Sequence, residues 1–203
     1  MVMVFCSPGV FIVESFLIST GVVALGEMGD KTQLLALLLA TKFKRPIPII
    51  LGILVATLAN HAFAGAVGNW VATAIGPQWL RWIVGASFLG MAIWTLIPDE
   101  IEDDLNTGKH VLGVFGTTAI AFFLAEMGDK TQLVTVALAA RYQDLFHVVA
   151  GTTLGMMIAD VPAVFVGDWL VKKVSLKIVH TVAAVIFAVM GVLALLNVGH
   201  AFG

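Results

Sequence analysis

The octapeptide Glu-Met-Gly-Asp-Lys-Thr-Gln-Leu occurs twice, from Glu27 to Leu34 and from Glu126 to Leu133, each time inside a long apolar stretch. On a helix, residues three apart share a face, so Glu27 with Asp30, and Glu126 with Asp129, each direct two carboxylates the same way. Two such faces meeting form an oxygen-rich cage. Hard divalent cations such as Mn²⁺ and Ca²⁺ take carboxylate, carbonyl, hydroxyl and water oxygens. Thr32, Gln33, Thr131 and Gln132 add neutral oxygens within one turn of the acids. Gly29 and Gly128 lie between the acids, where a missing side chain lets helices pack closely or lets the backbone open and offer carbonyls. Lys31 and Lys130 supply charge balance. Two readings stand for them: an i,i+4 ion pair with the Glu of the same motif, and neutralisation of the acids when the cation is absent. An ion near a bilayer centre costs at least ~2.5–3.5 kcal/mol, so charges placed there must be paired, solvated or binding something.

The elements that position these residues are those of a membrane protein. Of 203 residues, 60% are hydrophobic and only 12% charged, and the mean hydropathy is +1.01. A net charge of −2 with no Lys/Arg run argues against nucleic acid as a partner. Cys6 is the only cysteine, so neither an intrachain disulfide nor a cysteine-rich metal site is available. Apolar windows long enough to span cover residues 10–41, 47–71, 79–97, 111–140, 146–171 and 176–198. The first and fourth hold the octapeptides. Some thirty residues of helix reach ~45 Å against a hydrocarbon core of ~30 Å, so these two windows must tilt or break.

Shifting the second half onto the first by 99 positions aligns more than the octapeptide: Gly52 falls on Gly151, Gly68 on Gly167, Trp70 on Trp169, Phe88 on Phe187 and Met91 on Met190. The expected fold is therefore all-α, six transmembrane helices arranged as two inverted three-helix repeats. The first repeat is residues 1–97 and the second 111–203, with an acidic cytoplasmic linker at 98–110. Three spans per unit force the second copy into the membrane from the opposite side, as in many secondary transporters. Outside the motifs, one side carries Lys42, Lys44, Arg45, Lys109, Lys172, Lys173 and Lys177, and the other only Arg81 and Arg141. By the positive-inside rule the first group is cytoplasmic and both termini lie outside. Trp70, Trp79, Trp82, Trp94 and Trp169 read as interfacial anchors.

Asp160, deep in the fifth span and two residues before Pro162, is expected to line the cation path, with Asn60 in a supporting role. His61, which aligns with Asp160, reads as a hydrogen-bonded residue between helices. Met28 and Met127 read as packing residues, and Glu14 and Asp168 as wet positions near span ends.

At the two motifs the chain resembles the cation/proton exchangers defined by a doubled Glu-x-Gly-Asp-(Lys/Arg)-(Ser/Thr) signature, a family that includes bacterial manganese exporters of the MneA type and Golgi Ca²⁺/Mn²⁺ transporters. Both copies match in full, and with their three-helix surroundings they cover nearly the whole chain. The resemblance implies six core helices, export of Mn²⁺ or Ca²⁺ from the cytoplasm in exchange for H⁺, and Glu27, Asp30, Glu126 and Asp129 as the cation site. It implies no prosthetic group, and a bacterial inner-membrane setting that favours Mn²⁺. The oligomeric state stays open between monomer and homodimer. Rival readings are an intramembrane aspartyl protease, an exporter of small organic solutes and a passive channel. The glycines before Asp30 are spaced one position too far apart for the first, and charge cages that bind strongly conduct slowly.

Overall fold

The computed structural model describes residues 8–75, 77–96, 113–166 and 176–197. The linker at 98–110, Cys6, Gly76, Lys109, Gly167, Asp168, Trp169, Lys172 and Lys173 lie outside the described residues, as do the side-chain surroundings of Lys177. All the described elements are helices: α1 (Pro8–Glu27), α2 (Lys31–Phe43), α3 (Pro46–Ala74), α4 (Pro77–Trp94), α5 (Gly113–Glu126), α6 (Lys130–Tyr142), α7 (Leu145–Val166) and α8 (Leu176–Leu195).

The long first window breaks inside the motif. From α1 to α2 the axis turns by 70°, and α5 and α6 are interrupted at the same point of the second copy. Gly29 and Gly128 take φ of 85° and 78°, the left-handed region that a Cβ penalises, so glycine is what permits the chain to stop and restart there. Asp30 and Asp129 then stand at the N-cap, just before α2 and α6, in extended conformation. The other ends follow local rules as well. Lys44 and Gln143 adopt left-handed conformations and close α2 and α6 by donating their N–H to Ala40 and Ala139. Pro46 starts α3, where its missing N–H costs nothing.

Among the described residues, α3 and α7 are each long and apolar enough to cross a membrane alone, and the bent α1–α2 pair adds a third candidate. Ends and starts in the second half fall 99 positions after those in the first: Glu27 and Glu126, Lys31 and Lys130, Pro46 and Leu145. Packing crosses between the halves in the same reciprocal way. A Cβ at Gly52 of α3 would lie 2.8 Å from Thr118 and 2.9 Å from the Phe115 carbonyl oxygen of α5, and one at Gly151 of α7 would lie 2.9 Å from Ser19 and 2.5 Å from the Phe16 carbonyl oxygen of α1. Phe88 of α4 and Phe187 of α8, also 99 apart, stack on each other with centroids 6.4 Å apart. Around them Leu80, Val84, Met91, Leu138 and Met156 form one apolar core, while Leu39, Ile49, Ile53 and Phe122 form a second beside α2 and α3.

A polar cluster outside the motifs ties α1 to the turn between α6 and α7. Ser15 donates to Asp144 at 3.1 Å, and His147 Nδ1 lies 2.9 Å from both Asp144 oxygens. Partial burial pushes the Asp144 carboxyl up, but the hydrogen bonds from His147 and Ser15 outweigh it and hold the group below its ordinary value. Glu14, expected to be wet, is half-buried and accepts the Tyr142 hydroxyl at 3.3 Å, because α1 lies against the end of α6.

Candidate cation site

The two helix breaks meet, and their acids meet with them. One carboxylate oxygen from each of Glu27, Asp30 and Asp129 can be chosen so that all three lie within 4.8 Å of one another. All three residues are at most 3% exposed. Spacing of this kind needs only a small closure to put a shared ion at ~2.3–2.6 Å from each oxygen, the Ca²⁺ range.

Hydroxyls complete the Glu27 end. Thr32 donates to Glu27 Oε2 at 2.8 Å, and Thr131, from the opposite motif, donates to Oε1. Thr131 comes close because α6 starts at Lys130 and presents its first turn to the end of α1. The lysines cross over too. Lys130 Nζ sits 3.0 Å from Asp30 Oδ1, and Lys31 Nζ sits 3.3 Å from Asp129 Oδ2. Each lysine thus reaches the aspartate of the opposite motif, and the helix is interrupted between Glu27 and Lys31 and between Glu126 and Lys130. Positions four apart then no longer share a face.

Glu126 is buried at 1% exposure, and neither of its carboxylate oxygens has a hydrogen-bond partner among the described residues. It lies outside the trio but within electrostatic reach of Glu27, Asp129, Asp160 and Asp30. Asp160 is likewise fully buried with both oxygens unpartnered, and it faces Glu27 electrostatically.

The family described as Divalent cation/proton antiporter GDT1 matches residues 15–103 and again 114–201, one motif in each segment. The chain belongs to this family. It is a transporter of divalent cations, not an enzyme, which removes the protease reading, and its apolar helices make it an integral membrane protein. A Vibrio cholerae protein named "Putative manganese exporter" is 46% identical over 184 residues, covering 90% of this chain and 91% of that one. More distant relatives are GDT1-like protein 3 of Oryza sativa subsp. indica, 26% identical over 89% of this chain and 72% of its own length, and GDT1-like protein 5 of Arabidopsis thaliana, 25% identical over 92% and 97%. No solved structure matches the chain.

Within this GDT1 family member the remaining residues singled out in the sequence divide into two groups. Gln33 and Gln132 secure the breaks: their Oε1 atoms accept from Gly29 N at 3.0 Å and Gly128 N at 2.7 Å, capping backbone that the turn would leave bare. Gln33 Nε2 also donates to the Ala159 carbonyl, next to Asp160, at 2.9 Å. Asn60 donates to the Phe123 carbonyl at 3.1 Å, pinning α3 to α5 three residues before Glu126. His61 departs from expectation. It is fully buried, but neither ring nitrogen has a partner among the described residues. Met127, beside the break at Gly128, is 57% exposed, not packed. The crossed lysine pairs and the Thr131 contact were missed in the sequence. For the lysines the 99-residue offset held the signal, because their crossing is mirrored in the two halves.

Proposed function

We propose that this chain is a secondary-active exporter of Mn²⁺ from the cytoplasm, driven by protons moving the other way. The reading is carried by the trio of Glu27, Asp30 and Asp129, three buried carboxylates whose charge is balanced by lysines crossing from the opposite motif. A divalent ion entering the trio competes with the Lys130 ammonium for Asp30, so binding the ion and freeing the lysine are one event. Thr32 and Thr131 orient Glu27 for that ion. Glu126 and Asp160, buried without hydrogen-bond partners, are the groups we assign to carry protons and to receive the ion as it moves.

The architecture behind this reading is six spans in two inverted repeats, residues 1–97 and 111–203, joined by the linker at 98–110. It is supported by the 99-residue correspondence of helix ends and by the reciprocal contacts of Gly52 and Gly151. Rocking of one half against the other would expose the site to each side in turn. The lysine and arginine count supports a cell-membrane setting with both termini outside the cytoplasm. Mn²⁺ is favoured by the name of the Vibrio cholerae relative. An all-oxygen ligand set also suits Ca²⁺, so Ca²⁺/H⁺ exchange is the second reading.

The test is uptake of radioactive Mn²⁺ and Ca²⁺ into proteoliposomes with and without an imposed pH gradient, comparing the wild type with Glu27→Gln and Glu126→Gln. Flux should follow the proton gradient and favour Mn²⁺. Undiminished flux in both variants would overturn the site, and flux indifferent to pH would overturn the coupling.

A further inference from the structure

Away from the cation site, a groove of about 320 Å³ lies between α3, α4 and α6. Its floor is Val84, Met91, Ala137 and Ala140, all buried, and its flanks at Ile83 and Leu133 are 43% and 46% exposed, so it opens sideways. Protein interiors seldom leave space for more than a water or so, and this space equals the liquid volume of roughly ten. Water is nevertheless a poor occupant. It needs two to four polar partners, and the lining side chains offer only the Trp94 indole N–H and the Ser87 hydroxyl, which already donates to the Ile83 carbonyl at 2.8 Å. An occupant entering from the side of an apolar helix bundle, and matching apolar walls, is hydrocarbon.

One end of the groove specifies more than hydrocarbon. Arg81, just beyond the lining residues, stands one turn before Val84 on the same face of α4. Its guanidinium lies over the Trp82 ring at 5.5 Å, and its buried Nε has no hydrogen-bond partner among the described residues. Trp79 and Trp82, 70% and 49% exposed, flank it as side chains at a headgroup boundary do. A planar donor fork at that level fits a phosphodiester. It also argues against a second copy of this chain as the occupant, because an apolar helix face would bury that charge unmatched.

We propose that this groove binds an anionic membrane phospholipid, one acyl chain lying along α4 and α6 and the phosphate on Arg81. The wall supplied by α6 includes Leu133, the last residue of the second octapeptide, so the lipid packs directly on the helix that carries Lys130 and Thr131. This site is independent of which cation is carried.

Native mass spectrometry of the purified full chain, exchanged into phosphatidylglycerol or phosphatidylcholine, tests it. A Cβ at Gly90 meets nothing within 4 Å, so Gly90→Leu should fill the groove without disturbing the helices and lower the retained phosphatidylglycerol about tenfold. Gly21→Ala, also in open space, should change nothing. Arg81→Gln should keep acyl retention but erase a preference for phosphatidylglycerol of about tenfold, the scale of a charged hydrogen bond. Should Gly90→Leu fail to fold, loss of that preference in Arg81→Gln decides the matter. Equal lipid retention in wild type and Gly90→Leu, an unchanged headgroup preference in Arg81→Gln, or a wild-type dimer that Gly90→Leu converts to monomer would overturn the proposal.

Discussion

Glu27 and Glu126 head identical octapeptides and end helices that correspond one to one, yet only Glu27 is held. It accepts from two threonines, one in each motif, and joins the acid trio, whereas Glu126 is equally buried and accepts from none of the described residues. The lysines differ in the same sense: the Lys130 side chain is 7% exposed and that of Lys31 is 32%. Identical local sequence in unlike surroundings means that the difference is imposed by the rest of the chain. The neighbours are in fact unlike, since Asn60 and His61 in α3 stand where α7 has Ala159 and Asp160. The non-matching neighbours are thus the groups that can favour engagement of one copy of the motif over the other.

The comparison can be broken most sharply at the lysines. Lys130→Met removes a buried counter-charge and should destabilise the protein by about 3–5 kcal/mol. Lys31→Met removes a partly wet one and should cost no more than about 1 kcal/mol. Thermal unfolding in detergent at neutral pH measures both, and equal losses would show that the two pairs are equivalent in solution. Next come the glutamates. Glu27→Gln should weaken equilibrium Mn²⁺ binding by about a hundredfold, the upper range for losses around a metal site. Glu126→Gln should leave binding within about threefold while stopping exchange, since it lies outside the trio. Isothermal titration set beside proteoliposome flux separates the two, and matched binding losses would mean that both copies bind at once.

The smallest effect concerns the Ser15–Asp144–His147 cluster, which the first half lacks because Arg45 and Pro48 occupy the corresponding positions. Asp144 is held below its ordinary value, so its contribution is complete above the usual carboxylate range and is lost as pH falls through that lowered value. The expected difference in melting temperature is no more than about 2–4 °C, for a pair this exposed in a chain this long. Asp144→Asn should remove that portion of the acid sensitivity, and an unchanged acid limb would dissolve the cluster's role.

Much of the site was legible because its signals are local. The doubled acids marked buried carboxylates, the glycines between them and the excess length of the two motif windows left a tilt or a break to choose from, and the 99-residue offset matched the helix ends. What escaped depends on contacts across about a hundred positions. Which carboxylate a lysine meets, or whose threonine reaches Glu27, is decided by how the two breaks face each other, and spacing within one octapeptide carries no trace of it. The i,i+4 spacing was silent for the same reason, since it assumed the continuous helix that Gly29 and Gly128 interrupt. The lateral groove was invisible for a further one, because Val71, Met91 and Ala137 look like ordinary core in sequence.

The crossed pairing of Asp30 with Lys130 also has a consequence for biosynthesis. The two residues are 100 positions apart, and chains are made at ~5–20 residues per second. For roughly 5–20 s, therefore, the nascent first half holds Asp30 before its counter-ion has been synthesised. During that interval the insertion machinery, water or a proton must satisfy the carboxyl. Arrival of the second half is thus the step that seals the first into the bilayer, and translation stalled near residue 110 should leave an amino-terminal half that membrane quality control can recognise.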